Sequence, residues 1–158
     1  IINTHCHIDH ILGNNFVNKF WGAELYMHIK DLPLLNDSVK ISKMYGLNNY
    51  AISPSPKYFL EQGDILKFGK SKFDIIFTPG HAPGHICLYN KEKNILIAGD
   101  TIFKQSIGRT DLPGGDFNTL ISSIKYQLLI LPDATQIFSG HGPITNIGFE
   151  KTHNPFLQ

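Results

Sequence analysis

Six consecutive residues, His5-Cys6-His7-Ile8-Asp9-His10, bring three imidazoles and one carboxylate closer together than ordinary packing asks for. In an extended segment alternate side chains share a face, so His5 and His7 project together while Asp9 and His10 are free to turn toward a neighbouring position. Side chains of these types at this density are metal donors, and the two directions imply two adjoining ions. A fold that accepts this stretch has to bring further donors to meet it. Candidates stand in Thr78-Pro79-Gly80-His81, Gly99-Asp100 and Gly140-His141-Gly142, each at the end of an apolar run.

Between those points the pattern is of mixed α and β elements. Ile11, Leu12, Phe16 and Phe20 are at helical spacing, and Glu24-Leu25-Tyr26-Met27 reads as a short strand. Asp31 to Tyr45 reads as a second helix, with Pro33 in its first turn and Gly46 as its stop. Leu47 to Pro56, rich in Asn, Ser and Pro, reads as a loop. Ile65–Phe68 and Phe73–Phe77 form a hairpin across Gly69, and Ile86–Tyr89 pairs with Ile95–Ala98. Asp116 caps a helix carrying Phe117, Leu120, Ile121, Ile124 and Leu128, and a strand at Gln136–Phe138 leads to His141.

The order of these motifs resembles the H-x-H-x-D-H signature and later ligands of the metallo-β-lactamase superfamily. That resemblance implies an α/β fold, a four-layer αβ/βα sandwich. It implies that His5, His7 and His81 hold one ion, that Asp9, His10 and His141 hold the other, and that Asp100 bridges them. Two divalent cations are the implied cofactor, zinc first, with iron or manganese compatible with the same nitrogen and oxygen donors. Asp9 and Asp100 would then be catalytic as well as ligating. The segment Ser106-Ile107-Gly108-Arg109-Thr110-Asp111-Leu112-Pro113-Gly114-Gly115-Asp116 is similar to the compact bacterial glyoxalase II branch, as are Gly148-Phe149-Glu150 and Asn154-Pro155-Phe156-Leu157. The implied activity is hydrolysis of a thioester, an acyl-glutathione, by a hydroxide shared between the ions. Arg109 stands where that branch places a cation for the substrate's carboxylate; a loop salt bridge with Asp111 or Asp116 is its plainer reading. Persulfide dioxygenases, which use a single iron, and lactonases of the same fold are the alternatives.

Several residues stay outside the implied site. Alternation turns Cys6 away from the metals, toward a buried apolar role. His85 reads either as a support for the ligands or as a turn former, and His28 and His153 as structural or exposed. Gly80, Gly84, Gly99 and Gly140 read as positions of close backbone approach.

At 158 residues and 42% hydrophobic, the chain is expected to be one domain, residues 1–158. A net charge of +1 with scattered lysines offers no basic stripe, so the expected partner is a small-molecule thioester, with no nucleic acid. No apolar run is long enough to span a membrane, and two cysteines make no disulfide framework, which points to a cytoplasmic setting. Ile1-Ile2-Asn3-Thr4 reads as the tail of a strand delivering the ligand loop. The resemblance implies several strands before it, so the domain is expected to lack N-terminal strands of its first half. A second copy of the chain would then cover the exposed sheet.

Overall fold

The computed structural model describes residues 1–158. Ten strands and six α-helices follow one another along the chain. Helices α1 (Ile8–Ile11) and α2 (Asn14–Trp21) precede strand β1 (Leu25–Met27), and a 3₁₀ turn at Ile29–Asp31 leads into α3 (Leu32–Asn36) and α4 (Ser38–Met44). Then come β2 (Pro56–Phe59), β3 (Ile65–Phe68), β4 (Ser71–Phe77), β5 (Ile86–Asn90), β6 (Ile95–Gly99) and the short pair β7 (Ile102–Phe103) and β8 (Ser106–Ile107). Helix α5 (Phe117–Ser123) continues into a π turn at Ile124–Leu128, before β9 (Gln136–Ser139), β10 (Thr145–Asn146) and α6 (Ile147–His153).

The large sheet has the order β10-β9-β6-β5-β4-β3. All neighbours in it are antiparallel except β6 and β9, which run side by side in the same direction. Strict alternation gives β4 to β6 two apolar faces. On one face Ile76, Cys87, Tyr89, Leu96, Ala98 and Ile137 pack beneath Leu120, Ile124, Leu128 and Ile147 of α5, the π turn and α6. On the other, Phe73, Ile75, Ile86 and Leu88 pack with Leu60, and Ile2 and Tyr26 lean onto them from β1 and the N-terminal segment. A third cluster, Cys6, Ile8, Ile11, Leu25, Met27 and Leu35, fixes α1 and α3 to the outer side of β1. Helices, small sheet, large sheet and helices thus stack in the αβ/βα order of a four-layer sandwich.

Three local features differ from the sequence expectation. The first helix begins at Ile8, inside the ligand loop, so Asp9 and His10 lie on a helical turn rather than in extended chain. The second helix breaks at Asp37, and within the supposed Leu47–Pro56 loop region the last residue opens β2, which pairs in parallel with β1. Finally, the stripe of Leu12, Phe16 and Phe20 faces solvent, where Phe16 stacks on Phe20 and Trp21 meets both edge-on, all three at 61–70% exposure. Asp116 caps α5 as expected, accepting the Thr119 N–H at 2.7 Å. No helix is long and apolar enough to cross a membrane.

Candidate metal centre

All seven donors named from the sequence meet at the ends of their elements. His5 and His7 come from the segment after Ile2, which bridges to Tyr26 of β1; Asp9 and His10 ride on α1. His81 follows the end of β4, Asp100 the end of β6 and His141 the end of β9. Because β6 and β9 are parallel neighbours, their carboxyl ends deliver Asp100 and His141 to the same edge.

Within this cluster two sets of three donors can be separated. His5, His7 and His81 form one, and Asp9, His10 and His141 the other, each with its ligand atoms within 4.8 Å of one another. In the first set His7 Nδ1 lies 2.9 Å and His5 Nε2 3.2 Å from His81 Nε2. The Arg109 carbonyl can only accept, so the 2.7 Å contact to His81 Nδ1 puts the ring proton there and leaves Nε2 as a lone pair facing the cluster. Burial pushes the pKa of His5 far down, that of His7 to about 4, and that of His81 down as well. Three neutral imidazoles therefore converge, the state in which they bind a cation.

In the second set His141 Nε2 is 3.0 Å from Asp9 Oδ2, and both side chains are more than half exposed. The Asp100 carboxylate lies between the sets. Its Oδ2 is 3.7 Å from His81 Nε2 and 3.6 Å from His141 Nε2, and its Oδ1 is 3.4 Å from His10 Nε2. Burial pushes the Asp100 carboxyl up, but His10, His81 and His141 outweigh it and hold the group below the ordinary carboxylate range. Burial likewise lowers His10, and Asp100 and Asp9 reverse that, raising it. His10 Nε2 and Asp100 Oδ1 are nevertheless buried with no hydrogen-bond partner. Orphaned polar atoms of this kind are costly in a protein interior, and a cation between the two sets would satisfy both. The donor set fits two divalent ions.

The glycines behave as the sequence suggests. A Cβ on Gly140 would come within 2.2 Å of Asp100 Oδ1, and one on Gly99 within 2.6 Å of His85 Nε2. Cys6 points away from the cluster, 3.7 Å from the Met27 sulfur, and burial raises its thiol pKa. His28 is buried, accepting the Lys30 N–H and stacking on Phe77. Arg109 sits at the rim, its guanidinium exposed and doubly bonded to Asp111 at 2.7 Å.

Two further residues contribute behind the donors, and only Asp31 escaped the sequence reading. His85, left open there between two roles, is fully buried and accepts the Asp100 backbone N–H through Nε2 at 3.0 Å. Asp31, read as the opening of a helix, spends its carboxylate on the ligand loops instead. An aspartate before an apolar run is the usual signature of a cap, and nothing in the sequence separates the two uses.

The profile of the Metallo-beta-lactamase superfamily matches residues 1–141. The chain belongs to that superfamily. It is 40% identical over 158 residues to the Haemophilus influenzae protein named hydroxyacylglutathione hydrolase GloC, covering 99% of this chain and 74% of that one. Among solved structures, TTHA1623 in a di-iron-bound form superposes with a TM-score of 0.91 at 38% identity, covering 99% of this chain and 76% of that one. BLEG-1 B3 metallo-beta-lactamase does so with a TM-score of 0.90 at 39% identity and the same coverage. These relatives establish the αβ/βα metallo-β-lactamase fold and a metal-dependent hydrolase as the class of protein.

Proposed function

We propose that this metallo-hydrolase is a dinuclear thioester hydrolase acting on an acyl-glutathione. The position of the Asp100 carboxylate, between two complete three-donor sets, carries the dinuclear part of the reading. His5, His7 and His81 would hold one ion, Asp9, His10 and His141 the other, with Asp100 shared. Bound there, such a pair supplies Lewis acidity and a water whose pKa falls toward roughly 7.

The chain's own residues do the rest. Asp100, held ionised, would offset part of the positive charge of the two ions that the six surrounding donors would hold. Asp9, more than half exposed at the solvent-facing side, would ligate through Oδ2, which lies with His141 and His10, and leave its other carboxylate oxygen to accept a proton and pass it outward. His81, oriented by the Arg109 carbonyl, keeps its lone pair inward throughout. No side chain competes as nucleophile: Cys6 is buried away from the cluster, and burial pushes Cys87 to about 11. Thr78 and Thr101 are also engaged, each by hydroxyl contact with His85 Nδ1. Arg109 at the rim would exchange Asp111 for the carboxylate of a glutathione tail.

The acyl-glutathione substrate rests on the likeness to the H. influenzae protein and on the Arg109 loop. A cytoplasmic setting completes the reading, supported by two free, buried cysteines. Zinc, iron and manganese content, measured with hydrolysis of a panel of glutathione thioesters, a lactone and a β-lactam, tests the proposal. Two ions per chain and preference for the thioesters are expected. In Asp100→Ala both metal content and hydrolysis should fall, the latter by more than about 100-fold, beyond the loss typical of a residue that only supports ligands. Full activity in that variant would overturn the shared-carboxylate assignment, and a single iron with oxygen uptake would favour the dioxygenase alternative.

A further inference from the structure

Asp31 is 0% exposed and has no cationic partner. It stands at the N-cap of α3, where an aspartate ordinarily bonds the first amides of the helix, yet its side chain makes no such bond. Instead Oδ2 accepts the Cys6 backbone N–H at 2.7 Å and Oδ1 accepts the Gly84 backbone N–H at 2.5 Å. Cys6 lies between the ligands His5 and His7, and Gly84 lies in the loop of His81. The fit around the carboxylate is tight: a Cβ on Gly84 would come within 2.7 Å of Asp31 Oδ1 and 2.6 Å of the Asp31 amide nitrogen. A carboxylate buried without a cation costs stability, so its place here calls for a compensating role.

We propose that Asp31 is a positioning residue that staples the His5-Cys6-His7 segment to the His81–His85 loop and so preorganises the three-histidine set for a cation. The proposal rests on the metal-centre reading above. The staple holds both segments that supply the first set. It touches neither His141, which arrives from β9, nor the α1 residues Asp9 and His10, which Ile8 and Ile11 anchor in the core. Loss of Asp31 should therefore unbalance the two sets rather than weaken them together. In Asp31→Asn one amide N–H is left facing an NH₂ group, because a carboxamide has a single oxygen.

Zinc titration of the metal-free chain, against a chromophoric chelator, reads this out. Two backgrounds separate the sets: His141→Ala keeps the three-histidine set, and His81→Ala keeps the other. Adding Asp31→Asn should weaken zinc binding about 10- to 100-fold in the first background. In the second the change should stay below about threefold. Equal losses in both would make Asp31 a general stabiliser and overturn the proposal, as would no loss in either. If Asp31→Asn does not fold, Gly84→Ala, which displaces the carboxylate without removing it, should give the same imbalance. In the unsubstituted metal-free chain, the Cys6 and Gly84 amides should exchange with solvent as slowly as those of β5; rapid exchange would overturn the staple directly. Failure of the unsubstituted chain to bind zinc, iron or manganese would instead overturn the metal-centre reading and this inference with it.

Discussion

His85 accepts the Asp100 N–H through Nε2, so its own proton is on Nδ1, where the hydroxyls of Thr78 and Thr101 lie at 3.0 and 3.1 Å. The ring also stacks on His5 at 4.9 Å. Burial pushes its pKa down to about 3, and it stays neutral through the physiological range. His5, His7 and His81 are lowered for the same first reason. A histidine lowered by folding gives stability that is present above its unfolded pKa, near 6.5, and is lost as pH falls toward the folded value. Asp31, raised to about 6 by burial, and His10, raised by Asp100, act in the opposite sense, but the lowered histidines outnumber them. The urea midpoint of the metal-free chain should thus fall from pH 7 to pH 5, each fully linked histidine contributing at most about 1.4 kcal/mol per pH unit. A midpoint that rises over that interval would show that these rings are not held neutral. The ligating types were legible in the sequence because histidine and aspartate at such density have few other uses. His85 was legible only as one of two readings and Asp31 not at all, because their roles depend on backbone amides brought from far along the chain.

At the scale of elements, β3 to β6 were legible because alternation and turn residues agree there, and Gly69 turns the hairpin with φ +56°. Strand β2 was hidden by its own composition. Its first residue is Pro56, which cannot donate to a ladder, and the Ser- and Pro-rich stretch before it reads as loop. The break between α3 and α4 was hidden by Met44, which completes an apolar period but is exposed, while Leu35 alone of that run is buried. Helix α5 was visible from its cap and its stripe, and its tie to the ligand loop is a consequence of contact. Gly80, with φ +128°, comes so close to α5 that a Cβ would lie 2.3 Å from the Leu120 nitrogen. Gly80→Ala should therefore destabilise the chain by at least the 1–3 kcal/mol of backbone strain, and reduce zinc content as His81 shifts. Unchanged urea midpoint and zinc stoichiometry would mean that the loop has another way to accommodate a side chain.

On the whole molecule, the two faces of the large sheet are unequally covered. The helical face is closed, whereas Ile95, Ile97 and Phe138 on the other line an open groove of about 450 Å³ that ends at His10 and Gly140. Ile97 is 39% exposed there, and Phe16, Phe20 and Trp21 on α2 are 61–70% exposed, so apolar side chains meet solvent at both places. Ile97→Lys should change stability by less than about 0.5 kcal/mol, as expected of an exposed side chain, and lower self-association in sedimentation at high concentration. Unaltered sedimentation would show that this face is not a contact between copies. The parallel pairing of β6 with β9 has a different reach, into the order in which the molecule is built. A parallel neighbour is reached only by a crossover, here the whole passage from Asp100 through α5 to Gln136. Such non-local pairing is the slow part of folding, whereas β3 to β6 close as successive hairpins. Synthesis on the ribosome runs the same way, so every other donor is made before His141. The second donor set is therefore the later of the two to be complete along the chain, its last member arriving with β9 after the three-histidine set has already been made.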